Sequence, residues 1–429
     1  MLLTRWIRRS GRAIVALLFV VGVVLAMPGA AASPSPEPEA VSEVRALWVL
    51  RTSLSSPASI TALVQSARDH GFNTLLVQVR GRGDAYYNDS IEPRGADLQR
   101  QPASFDPLAT VIGAAHTAGL RVHAWINVNL VASAVDLPLA REHLVYRHPD
   151  WLMVPRDIAQ EVAKLPADSP AYVGKIARWT RGQPGELEGL YASPIIPAAA
   201  AYLEMVVRGI VSRYPVDGIH FDYARYPNAR FDYSRLAIAE FRTVIRPRLD
   251  EGLRRQVDAR EKVDLFAYPD ARPDDWRAFR VARMTALMRR LRAAVKAERP
   301  DALVSVATKP DLREAYDDRL QDWGVWLHDG IVDVVCPMAY TPEAARFADQ
   351  ITAARAAANG RPIWAGIGAY RLTPSQTVDN IQTARRLGAA GVILFSYDSL
   401  TDPKLNAPGY LEKVARAAFQ PVAARPGSH

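Results

Sequence analysis

The chain reads as an α/β protein, a (β/α)8 TIM barrel with enlarged βα loops behind an amino-terminal signal peptide. Three observations predict this. A unit of short apolar run, polar loop, helix start, helix and glycine recurs along the chain. Eight such runs can be counted, each largely apolar and each followed by helical sequence, as expected of parallel strands buried on both faces. A doubly wound open sheet would usually carry a Gly-rich phosphate loop after its first strand, and Leu50-Arg51-Thr52-Ser53 is not one.

The runs are Arg45–Leu50, Thr74–Val79, Arg121–Asn127, Val216–Tyr223, Leu303–Thr308, Ile331–Cys336, Pro362–Gly366 and Gly391–Phe395. Helix starts are marked by an oxygen-bearing cap before proline: Ser56-Pro57, Asp106-Pro107, Thr341-Pro342 and Thr373-Pro374. Helix stops fall at His70-Gly71, Gly119, Asn359-Gly360 and near Gly388, where glycine supplies the left-handed turn. Two connections are oversized, residues 128–195 and residues 228–274. In a barrel the βα loops lie on the active face, so these insertions are expected to wall a cleft.

Residues 1–32 do not belong to the barrel. Arg5, Arg8, Arg9 and Arg12 form a basic region, Ala13–Ala26 an apolar core short for a membrane span, and Ala30-Ala31-Ala32 a small-residue cleavage site. A secreted or periplasmic protein is expected, with no membrane span after cleavage; an uncleaved anchor is the alternative. Residues 33–43 read as a Pro-rich linker, 44–421 as the barrel and 422–429 as a flexible tail. Removing the four leader arginines lowers the formal charge from +8 to +4, and no block of Lys and Arg remains, which argues against nucleic acid as a partner. The single cysteine, Cys336, precludes an internal disulfide and a Cys-based metal site.

The carboxyl ends of eight parallel strands converge, and their polar residues are rich in carboxylates, amides and flat rings. Flat rings stack on the C–H faces of sugars while Asp, Asn, Arg and His satisfy hydroxyls, so a polysaccharide substrate is expected. Glycoside hydrolysis needs two carboxylates. Asp222, closing the fourth run, is the first choice; Asp84, Glu92, Asp311 and Asp398 are candidates for the second. The expected substrate-binding residues are Trp48, Arg80, His123, Trp125, Asn127, His220, Tyr223, Arg225, Tyr340 and Tyr397. Blander readings stand beside these: Asp84 holding a turn, Asp398 capping a helix, His123 or His220 satisfied inside the barrel, and Trp125 as filler. No cofactor is expected, since dinucleotide fingerprints and His-Glu-x-x-His are missing, and a serine triad has no Gly-x-Ser-x-Gly elbow to support it. A catalytically weak carbohydrate-binding barrel and a metal-dependent hydrolase remain as alternatives.

Longer motifs sharpen this. Arg45-Ala46-Leu47-Trp48-Val49, Gly83-Asp84-Ala85, His123-Ala124-Trp125-Ile126-Asn127, His148-Pro149-Asp150-Trp151, Asp217-Gly218-Ile219-His220-Phe221-Asp222-Tyr223 and Phe395-Ser396-Tyr397 occur in order. In these the chain resembles the bacterial glycosyl-hydrolase-like family ten, over about residues 45–400. The resemblance implies an exported glycoside-hydrolase-like barrel acting on a bacterial envelope or extracellular polysaccharide, with relatives that act on peptidoglycan glycan strands stripped of stem peptides. It places Asp84, His123, Trp125, Asn127 and Asp222 at the site, and Glu92-Pro93 matches a family Glu-Pro. The chain departs at Arg94, where tryptophan is usual, at Tyr223, where many members have a second Asp, and at Thr308-Lys309-Pro310-Asp311.

Overall fold

In the computed structural model, residues 43–183, 185, 187–406 and 408–419 are described. The expected signal peptide, most of the linker and the tail lie outside them. No helix among the described residues is long and apolar enough to cross a membrane.

Eight parallel strands close into a barrel. In chain order the strands are β1 (Val44–Val49), β2 (Thr74–Arg80), β3 (Arg121–Asn127), β4 (Leu130–Ala132), β5 (Leu190–Tyr191), β6 (Gly218–Asp222), β7 (Leu303–Thr308), β8 (Val334–Ala339), β9 (Trp364–Ile367) and β10 (Gly391–Phe395). Around the ring the order is β1-β10-β9-β8-β7-β6-β3-β2; β4 and β5 form a separate antiparallel pair. All eight sequence-read runs are barrel strands. Outward residues such as Ile219 and Phe221 pack under the helices, and inward residues fill the barrel.

The local signals act as expected at most helix ends. Ser56 and Thr373 each make a reciprocal capping box, and Asp106 accepts from Ala109 N–H. Several boundaries moved, two of them for a visible reason. The sixth strand runs Val334–Ala339 rather than Ile331–Cys336, because Asp333 ends the preceding turn by accepting from Val304 N–H at 2.9 Å. Pro337 pairs with Thr308 inside the strand, and the sheet tolerates one missing N–H. The helix after β8 starts at Ala344, with Thr341 instead accepting from Glu343 N–H.

The two oversized connections share a second apolar core. Val131, Leu152, Val173 and Leu190 from the first pack with Tyr233, Phe241 and Tyr268 from the second, and with Trp276 just beyond it. Buried Asp232 ties them, accepting from Val154 N–H at 2.9 Å and from Ser234. Burial lifts its carboxyl to about 6 against those hydrogen bonds. One module therefore stands over the β3–β6 side of the barrel mouth.

Candidate active site

Adjacent strands β3 and β6 set the height of every inward residue. Their register pairs His123 with Gly218, Trp125 with His220 and Asn127 with Asp222, three layers from the barrel interior to its mouth. The lowest layer is closed. His123 is buried, its ring 5.6 Å from that of Trp364, and burial lowers its pKa to about 4. Gly218 is required opposite: a Cβ there would lie 2.6 Å from the His123 ring and 2.7 Å from the Leu303 carbonyl.

The middle layer is a hydrogen-bonded core. Trp48 Nε1 donates to His220 Nε2 at 3.0 Å, so His220 carries its proton on Nδ1, 2.9 Å from Ser305 Oγ. Burial and the neighbouring His123 hold His220 well below its ordinary pKa, so it is neutral. Both ring nitrogens are engaged and the residue is fully buried. The structure does not bring Trp48, His123 or His220 to the surface where substrate was expected.

The upper layer opens into a cleft of about 780 Å³ lined by Trp125, Asn127, Asp222, Tyr223, Arg225 and Tyr340 among others. Trp125 Nε1 donates to Asn127 Oδ1 at 2.9 Å, and Asn127 Nδ2 donates to the Gly81 carbonyl. Asp222 Oδ1 accepts from Tyr223 N–H at 2.6 Å and from Arg225 Nη1 at 3.0 Å. Tyr223 holds the left-handed conformation at φ 51°, and Arg225 lies 4.2 Å over its ring. This tight turn fixes carboxylate, guanidinium and ring as one unit. Burial pushes the Asp222 carboxyl above the usual range, opposed by Arg225 and the Tyr223 N–H, while the charge of Glu188 adds to the rise.

Glu188 was not among the sequence candidates. It lines the same cleft, in the irregular segment just before β5, and accepts from Tyr191 Oη at 2.5 Å. Gly189 brings it there: a Cβ at that position would sit 2.0 Å from the Ala132 carbonyl of β4. The only sequence signal was its place in the oversized first connection.

The other expected carboxylates are occupied elsewhere. Glu92 forms a buried two-point pair with Arg80, both contacts at 2.7 Å, and neither lines the cleft. A register shift between Gln78 and Arg80 explains this: Gln78 lines the cleft, while Arg80 reaches the carbonyls of Asn127 and Val128. Asp84 holds its own loop, accepting from Arg82 N–H at 2.8 Å and facing Arg51 at 3.5 Å. It lines a neighbouring 380 Å³ hollow that shares Arg51 and Arg82 with the cleft. Asp398 latches the barrel closure, accepting from Leu50 N–H, Thr52 and Ser53. Asp311 caps the helix Leu312–Asp317. Tyr397 starts the helix Tyr397–Thr401 and does not line the cleft.

Tyr340, Tyr370 and Phe395 form an aromatic wall, with ring centroids 5.5–6.2 Å apart. Flat rings beside a buried carboxyl, amides and guanidinium groups are what a glycan-binding cleft needs.

Comparison with known proteins agrees with that chemistry. The chain is 24% identical over 331 residues to glycosyl hydrolase YngK of Bacillus subtilis (strain 168), covering 70% of this chain and 54% of that one. It therefore spans about half of YngK's length. Glycosyl hydrolase DigH of Escherichia coli (strain K12) is 23% identical over 363 residues, covering 75% and 71%. The fold is shared with the PgaB (BpsB) glycoside hydrolase domain from Bordetella bronchiseptica, at TM-score 0.60 and 14% identity, covering 89% of this chain and all of that domain. The Glycosyl hydrolase-like 10 family matches residues 43–380, and the chain belongs to that family.

Proposed function

We propose that the protein is an exported glycoside hydrolase that cleaves a bacterial envelope polysaccharide, peptidoglycan glycan strands, by a two-carboxylate mechanism. The observation that carries this reading is that Asp222 and Glu188 face one open cleft with an aromatic wall. The leader-like residues 1–32 and the family resemblance support export and the choice of polymer.

Asp222 is the proton donor. Burial raises its carboxyl and so favours proton transfer to the departing glycosidic oxygen, and Arg225 at 3.0 Å stabilises the carboxylate left behind. Glu188 is the opposing carboxylate, acting at the anomeric carbon directly or through a water. Tyr191 orients it. Trp125, Tyr340 and Tyr370 stack sugar faces, and Asn127 and Arg225 meet hydroxyls.

Incubation with soluble peptide-free glycan strands, read as new reducing ends, tests this. Wild type releases them, Glu188→Gln loses at least about a hundredfold, and proton NMR of the first product distinguishes direct attack (retention) from water attack (inversion). Unchanged release by Glu188→Gln would remove Glu188 from the mechanism.

A further inference from the structure

The cleft holds more cationic side chains than its carboxylates neutralise. Four cations are committed: Arg51 to Asp84 and Gln78, Arg225 to Asp222, Lys309 to Glu314, and Arg319 to Asp318. Three others, Arg82, Arg346 and Arg371, line the same cleft and make no ion pair among the described residues. Two cleft carboxylates, Glu188 and Glu343, likewise make no ion pair among the described residues, so three free guanidinium groups face two free carboxylates.

The unpaired groups are placed rather than scattered. Arg346 and Gln350 are one turn apart on the helix Ala344–Ala357, which follows β8. Gln350 Oε1 is buried without a hydrogen-bond partner, an acceptor waiting for a donor such as a sugar hydroxyl. Arg371 lies 5.2 Å over the Tyr370 ring, at the edge of the aromatic wall. Arg82 follows β2, four strands from β8 around the ring, and so stands on the far side of the mouth. Its charge reaches Tyr223 beside Asp222. Uncompensated guanidinium groups in a concave site attract anions, and their planar forks match carboxylates.

We propose that Arg346, Gln350 and Arg371 form a subsite that reads a carboxylate-bearing sugar of the glycan, with Arg82 adding attraction from the opposite wall. The sugar's C–H face stacks on Tyr340 and Tyr370, its acid group meets Arg346 and Arg371, and a hydroxyl donates to Gln350. These residues determine specificity and take no part in bond cleavage. The inference rests on the glycan-cleaving reading above and adds the acid group to it.

Binding by the full chain carrying Glu188→Gln tests it, with peptide-free glycan oligomers and the same oligomers after reduction of their carboxyls to alcohols. The acid form should bind at least about tenfold more tightly, an advantage that shrinks as salt rises. Adding Arg346→Gln and Arg371→Gln together should erase that advantage and leave the alcohol form unchanged. Equal binding of the two forms, binding of neither, or equal loss for both in the double variant would overturn the subsite. The two claims separate in wild type. Equal reducing-end release from both forms keeps hydrolysis and ends the acid preference, whereas selective acid binding without release keeps the subsite and ends the hydrolytic reading.

Discussion

Asp222 sits in register with Asn127 at the ends of neighbouring strands, and its main-chain carbonyl accepts Val128 N–H at 2.7 Å. The Asp222 side chain is thus positioned by the ladder itself, and its height in the barrel depends on what fills the layers beneath.

The lowest of those layers gives a sharp test. Gly218→Ala places a methyl against the His123 ring and the Leu303 carbonyl, and the carbonyl cannot retreat without moving its strand. Overpacking of this kind costs about 1–3 kcal/mol or more. Urea unfolding should show that loss, and an unchanged midpoint would mean the layer is looser than described.

Glu92 and Arg80 predict a stability effect without a chemical one. Their side chains are essentially inaccessible, at 0% and 2% exposure. Glu92→Gln leaves a buried guanidinium with half a partner, and breaking such a pair costs about 3–5 kcal/mol. Denaturant unfolding should register that loss while kcat of the folded variant stays near wild type. A hundredfold fall in kcat would restore Glu92 as a catalytic carboxylate.

His123 predicts acid lability. Its folded pKa of about 4 lies below the ordinary 6.5, so the unfolded chain takes up the proton first. The stability of neutral His123 is complete above pH 6.5 and is lost progressively as pH falls toward 4, by about 3 kcal/mol in all. Unfolding free energies between pH 7 and pH 4 check this. The fall should flatten in His123→Gln, and a profile identical to wild type would discount the residue.

The barrel was legible because its signals are local and repeated: apolar runs, Ser, Asp or Thr caps before proline, and glycine stops. The rim was half legible. Strand alternation tells which face a residue takes, so Asp222, Trp125 and Asn127 were found together with their inward neighbours His220 and His123. It does not tell height, and the lower members belong to the packed interior. Arg80 escaped because a register shift after Gln78 redirects it. Glu188, Arg346 and Gln350 escaped because loops and flanking helices carry them; their convergence depends on how the first insertion packs and on closure of the ring.

The proposed hydrolysis turns on Asp222. Reducing-end release from peptide-free glycan strands should be compared for wild type and Asp222→Asn, with folding of both verified by near-ultraviolet circular dichroism. The asparagine keeps the shape but has no acidic proton to transfer, so release should fall at least about a thousandfold. Release by a folded Asp222→Asn protein at the wild-type rate would contradict the assignment.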